Sequence, residues 1–249
     1  MGPEDPVGAA FRREAGARRA RSAPPRPTPA VSAAIRGRLE SQQMVERSFA
    51  EFAAARGRTI AIAAPLSQAQ LDFSPRRGRW SIGEVLDHVM RAEDLYRGEI
   101  ARLIELARAG QRPYLRRTFS DVNVSPLFMP DMFLPMLDVP FTIINRFIPQ
   151  AVRDFAIENP LLPMRNPTIA TPRAGRSGAE LRDQLVSSLD RTRTLLVSNV
   201  DLPFEQMASE HPLMGVANVP QILAFLARHE RRHHSQIDKV KSDAKYPRD

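Results

Sequence analysis

The stretch NVPQILAFLARHERRHHSQIDKV, residues 218–240, decides the fold. Asn218 is a good helix cap, and proline is tolerated in the first turn that follows it. At 100° per residue, Ile222, Leu226, His229, His233, Gln236, Ile237 and Val240 all fall within about 60° of one direction. That is the apolar stripe of an amphipathic helix with two histidines in its middle. His234 lies about 120° from the reference residue Ile222, so it is expected in solvent.

Working outward, proline sets the other helices. Six of the 22 prolines lie in residues 1–38 and ten in 113–172, leaving windows 76–112, 173–202 and 221–246 free of it. Proline removes a hydrogen bond and clashes inside a helix, so these windows are helix candidates. A further helix is expected over about 33–63, with a ragged apolar stripe from Ile35, Leu39, Val45, Phe49, Phe52 and Ile60. The next opens at Ser81-Ile-Gly-Glu84, a capping box, and the one after at Ser177-Gly-Ala-Glu180, a second. No alternation is long enough to predict a sheet. The expected fold is all-α, a four-helix bundle with a long crossover between its second and third helices.

The crossover, about 111–176, holds six of the twelve phenylalanines and four of the nine methionines. A disordered segment is poor in such residues, so the crossover is expected to bury them against the bundle. A lid over a site, or a face for a second copy giving a homodimer, are the other readings. A short helix is expected near 139–157.

The chain of 249 residues contains no cysteine. Disulfides, thiolate metal sites and cysteine nucleophiles are therefore excluded. Its net charge is +8, but residues 1–38 carry eight arginines against Glu4, Asp5 and Glu14, so +5 of the total sits there. That Arg-, Ala- and Pro-rich segment, residues 1–33, is expected to be a disordered tail or the product of a misplaced start, with a domain over 34–246. The tail has no interleaved aromatics apart from Phe11, so nucleic acid is not the expected partner. No apolar run is long enough for a transmembrane helix, and the N-terminus lacks the apolar core of a secretory signal. A cytoplasmic protein is the default expectation. There is no Gly-rich phosphate loop, Ser nucleophile elbow or internal repeat.

The histidines carry the chemistry. His229 and His233 stand one turn apart on one face, a spacing that lets two imidazoles reach one ion at about 2.0–2.1 Å from each nitrogen. Two buried imidazoles are costly without partners, and a metal supplies one to both. His88 is the only histidine inside a predicted helix other than the one at 218–240. If the second and fourth helices are neighbours, His88 completes a set of three nitrogen ligands with a position left open, the catalytic zinc arrangement. Nickel or iron would accept the same ligands. His211, beside Pro212, is read as structural or as part of a pocket rim.

Several motifs in order resemble the DinB-like superfamily. They are Leu66-Ser-x-x-Gln-Leu71, then Trp80-Ser-Ile-Gly-Glu-Val-Leu-x-His88, then His229-x-x-x-His233-x-x-Gln236-Ile237. His211-Pro-x-x-Gly215 resembles a sequence found in part of that group. The resemblance covers roughly residues 40–110 and 176–242. It implies a four-helix bundle with a long crossover and a divalent-metal site at His88, His229 and His233. It also implies a metal-dependent enzyme of thiol S-transferase or hydrolase type, with a small-molecule substrate, including a low-molecular-weight thiol. The alternative is a non-catalytic bundle that binds a metal or an apolar ligand. The crossover departs from the simple pattern by its length and its Phe and Met content. Arg231-Arg232 leaves only Glu230 as a nearby acid, and at about 80° from Ile222, off the stripe, it is poorly placed to orient an imidazole. Glu93 and Gln236 are the candidates for that role, with Asp87 as a further choice. Glu93 faces inward, so it either bonds a ligand or pairs with an arginine. Arg91 and Arg228 are candidates for binding an anionic group.

Overall fold

The computed structural model describes residues 29–118, 170–211 and 215–248. The chain divides into two units, Met1–Arg36 and Gly37–Asp249, and every side-chain contact described below lies within the second. The expected tail lies outside the described residues up to position 28, as does the expected helix near 139–157.

Four long helices form the body: α1 Pro29–Ala63, α3 Ile82–Arg108, α4 Gly178–Val197 and α5 Val219–Lys241. A short helix, α2 Gln68–Asp72, lies between α1 and α3. Local sequence explains the helix starts. Ser81 accepts from the Glu84 N–H while Glu84 reaches back to the Ser81 N–H at 2.8 Å, a complete capping box. Asn218 and Gln221 form another at α5, and Ser67 and Gln70 a third at α2. At α4 only half of the expected box forms. Ser177 caps the Glu180 N–H at 3.2 Å, but the Glu180 carboxylate is drawn to Arg176 instead.

α3 packs against α4 and α5 and so forms the centre of the bundle. One apolar cluster joins Phe52, Ile100, Leu103, Leu223 and Leu226; a second joins Leu71, Ile82, Leu86, Leu181, Leu185 and Ile237. Each such side chain contributes about 1.5–3 kcal/mol when fully buried. The near approach of α2 to the start of α3 falls at Gly83, where a Cβ would sit 3.2 Å from the Leu71 carbonyl oxygen.

A small sheet, absent from the sequence-based expectation, flanks the bundle. β1 Tyr114–Arg116 pairs in parallel with β2 Ala208–His211, which pairs antiparallel with β3 Gly215–Asn218. Strands of three and four residues are too short to show period-two alternation. β1 belongs to the start of the crossover. It is fastened by Tyr114 Oη to Glu210 at 2.6 Å and by Arg117 Nε to Glu99 of α3 at 3.2 Å. Burial raises the Glu99 carboxyl, with the Arg117 charge opposing it.

Candidate metal centre

His88 lies on α3, two turns from its cap, and His229 and His233 lie on α5, one turn apart. Because α3 and α5 pack together, the three rings meet. The His229 Nε2 is 3.3 Å from the His88 Nε2 and 3.1 Å from the His233 Nε2. The three ligand atoms lie within 4.8 Å of one another.

The remaining nitrogens of two of the rings fix their tautomers. The His88 Nδ1 lies 2.8 Å from the Ala170 carbonyl oxygen, so it must donate and its Nε2 carries a lone pair. The His233 Nδ1 donates to Gln236 Oε1 at 2.8 Å, so its Nε2 is likewise a lone pair. Both lone pairs face the His229 Nε2, which can donate a single proton to only one of them, whereas a cation between the three would satisfy all. Nitrogens at 2.0–2.1 Å from a tetrahedral ion stand about 3.3 Å apart, which matches the observed spacings. The donor set fits a divalent ion that accepts imidazole, and His88, His229 and His233 could hold it.

Electrostatics keep these rings neutral. Burial, then the proximity of His88, pushes His233 down to about 3. Burial, then the neighbouring His233 and His88 rings, holds His229 well below its ordinary value. His88 is also lowered by burial, although the Ala170 bond works the other way. Neutral imidazoles are the metal-binding form. Trp80 and Phe225 wall the rings: Trp80 lies 4.7 Å from His88, and Phe225 stacks on His229 at 5.7 Å, centroid to centroid.

A second buried network lies beside the triad. Arg56 of α1, with no exposure, pairs with Glu93 of α3 at 2.8 Å and Glu230 of α5 at 2.5 Å. Ser188 and Thr192 of α4 each donate to Glu93 at 2.6 Å. All four long helices thus share one polar knot. Glu93 therefore pairs with an arginine and two hydroxyls rather than orienting an imidazole; Gln236 holds His233. Glu230, discounted on the helical wheel, is 2% exposed and accepts from Thr59 as well as from Arg56. His234 corrects the expectation of a solvent-facing ring. It is 4% exposed, with its Nε2 2.8 Å from Thr59 Oγ1. The Thr59 hydroxyl hydrogen goes to Glu230, so the His234 Nε2 is the donor to Thr59. α1 covers that face of α5, which a wheel for a single helix cannot show.

Asp87 does not touch an imidazole. Its buried carboxylate accepts from the Arg173 backbone N–H at 2.8 Å and from Arg176 Nη1 at 2.5 Å. Burial alone would raise this carboxyl; bonds from Arg173 and Arg176 overcome it and hold the group below its ordinary value. Arg91 is half-buried and its charge reaches His88; Arg228 is half-buried one residue before His229. His211 sits on β2 opposite Gly215, outside the convergent group. Sequence reasoning missed Arg56 and Thr59, whose signal was the polar break in the stripe of the first helix.

A family model described as the DinB superfamily matches residues 51–237, well over half of the chain. The chain belongs to the DinB superfamily. The matched DinB span contains all three convergent histidines and every residue of the buried knot. No curated protein and no solved structure matches the chain. Among the described residues, no helix is long and apolar enough to cross a membrane.

Proposed function

We propose that this DinB-superfamily protein is a metal-dependent enzyme that uses a divalent ion, zinc first, on His88, His229 and His233. The observation that carries the reading is the convergence of three Nε2 atoms at 3.1 and 3.3 Å, with the His88 and His233 protons held on Nδ1. Three protein nitrogens leave coordination positions open, the pattern of catalytic sites rather than structural ones. An ion there would act as a Lewis acid and bring the proton of a bound water or thiol within reach of neutral pH.

The chain's own groups do the rest. The Ala170 carbonyl and Gln236 keep two rings in the binding tautomer. Trp80 and Phe225 shield two of the rings on their apolar sides. The Arg91 charge reaches His88 and suits an anionic group on the substrate. The reaction class is thiol S-transfer or hydrolysis of a small electrophile.

Elemental analysis of the purified protein, beside a His229→Ala/His233→Ala variant, tests the ion. One equivalent of a transition metal in the parent and none in the variant is the expected result. Equal metal in both would sink the assignment. Assays of the metal-loaded protein with low-molecular-weight thiols plus electrophiles, and with ester and amide substrates, then test the chemistry. A loaded protein that turns over neither class returns the chain to the non-catalytic reading.

A further inference from the structure

The His88 ring is oriented by a backbone carbonyl, and a backbone carbonyl is only as well placed as the segment that carries it. Ala170 is 3% exposed and lies three residues before Arg173 and six before Arg176. Both arginines converge on Asp87. Arg173 contributes its backbone N–H at 2.8 Å and its Nη2 at 3.1 Å, and Arg176 its Nη1 at 2.5 Å. The other guanidinium nitrogen of Arg176 binds Gln184 of α4 at 2.8 Å and also meets Glu180. Asp87 is the residue immediately before His88 on α3 and has no exposed surface. One helix therefore carries both a ring and the anchor for the carbonyl that orients it.

We propose that Asp87 is a positioning residue for the metal centre, clamping residues 170–176 against α3 so that the Ala170 carbonyl holds His88 in its Nδ1–H form. The inference rests on the three-histidine reading for its consequence, but its mechanism is a property of the metal-free protein. A buried carboxylate with three charge-assisted or backbone donors is well suited to fix a loop, since such bonds are short and about twice as strong as neutral ones. Partners behind a ligand matter measurably: removing one weakens metal affinity by about 10- to 100-fold in comparable sites.

The decisive variant is Asp87→Asn, which keeps the side-chain shape but presents a donor amide to the two arginines. Long-range proton–nitrogen spectra of the metal-free protein report the tautomer of each ring. The parent should show His88 protonated at Nδ1 alone, and Asp87→Asn should show a mixture. Cobalt titration should then give a Kd raised by about 10- to 100-fold, with altered visible bands. Glu99→Gln, another buried carboxylate about three turns further along α3, is the control for mere loss of stability. It should leave both the His88 tautomer and the cobalt Kd unchanged. If Asp87→Asn does not fold, Arg173→Ala, at an exposed position, carries the same test with a smaller shift in tautomer and Kd. An unchanged His88 tautomer in the folded variant overturns the proposal. A parent with the tautomer as stated but no cobalt binding instead overturns the metal reading and leaves the clamp standing.

Discussion

The Arg56 guanidinium and the Glu93 carboxylate meet 2.8 Å apart with neither side chain exposed. The same guanidinium holds Glu230, so one cation serves two buried anions from two helices. Removing it strands both. Arg56→Ala should cost about 3–5 kcal/mol, the range for breaking a buried pair by deleting one partner. Arg56→Lys should recover only part, because an ammonium cannot bridge both carboxylates as a planar fork does. Urea unfolding measures the difference, and a loss under about 1 kcal/mol for Arg56→Ala would contradict the account.

Metal should stabilise the fold. A ligand that binds only the native state adds about 2.7 kcal/mol at a hundred times its Kd. The thermal midpoint should therefore rise on adding zinc and fall again with chelator. His229→Ala should abolish the response, since its Nε2 stands nearest both other rings. A midpoint indifferent to metal in the parent would argue against ion binding.

Acid should weaken the metal-free protein earlier than its carboxylates alone would. His233 is pushed down to about 3, and His88 and His229 are held below the ordinary 6.5. Unfolded, these imidazoles titrate near 6.5. Below that value the unfolded chain binds more protons than the native one, so stability is full above it and declines as pH falls toward the native values. The urea midpoint should drop between about pH 7 and about pH 5, and a His88→Gln/His233→Gln variant should show a shallower fall. A flat midpoint across that interval in the parent would be the contrary outcome.

The start of α3 can be tested through its cap. Ser81→Ala removes the acceptor for the Glu84 N–H and should cost about 1 kcal/mol. Because His88 lies two turns on, zinc affinity should fall only slightly. A large loss of affinity without a loss of stability would mean that Ser81 acts at the site itself.

Much of this was legible in the chain because it is local. Capping residues announce the starts of α3 and α5, and the 3.6-residue period puts His229 and His233 on the buried stripe. The ragged stripe of α1 was legible in a different sense. Val45, Phe49, Phe52, Arg56, Thr59 and Ala63 follow regular helical spacing, but two of the six are polar, so an apolar pattern skips them. What they bind lies on other helices, beyond any periodicity. His234 and Glu230 were misplaced for the same reason, since α1 covers a flank that a single wheel assigns to solvent. The Ala170 carbonyl leaves no trace at all, because every residue has one.

Two of the three convergent rings ride on α5 and the third on α3. Coordination bonds tolerate errors of only about 0.2 Å, far less than packed side chains absorb. A bound ion would thus serve as a strain gauge across that helix pair. Substitutions at the Tyr96–Phe225 contact, where the rings lie 5.1 Å apart, should register in the colour of a cobalt-loaded sample before they register in a melting curve.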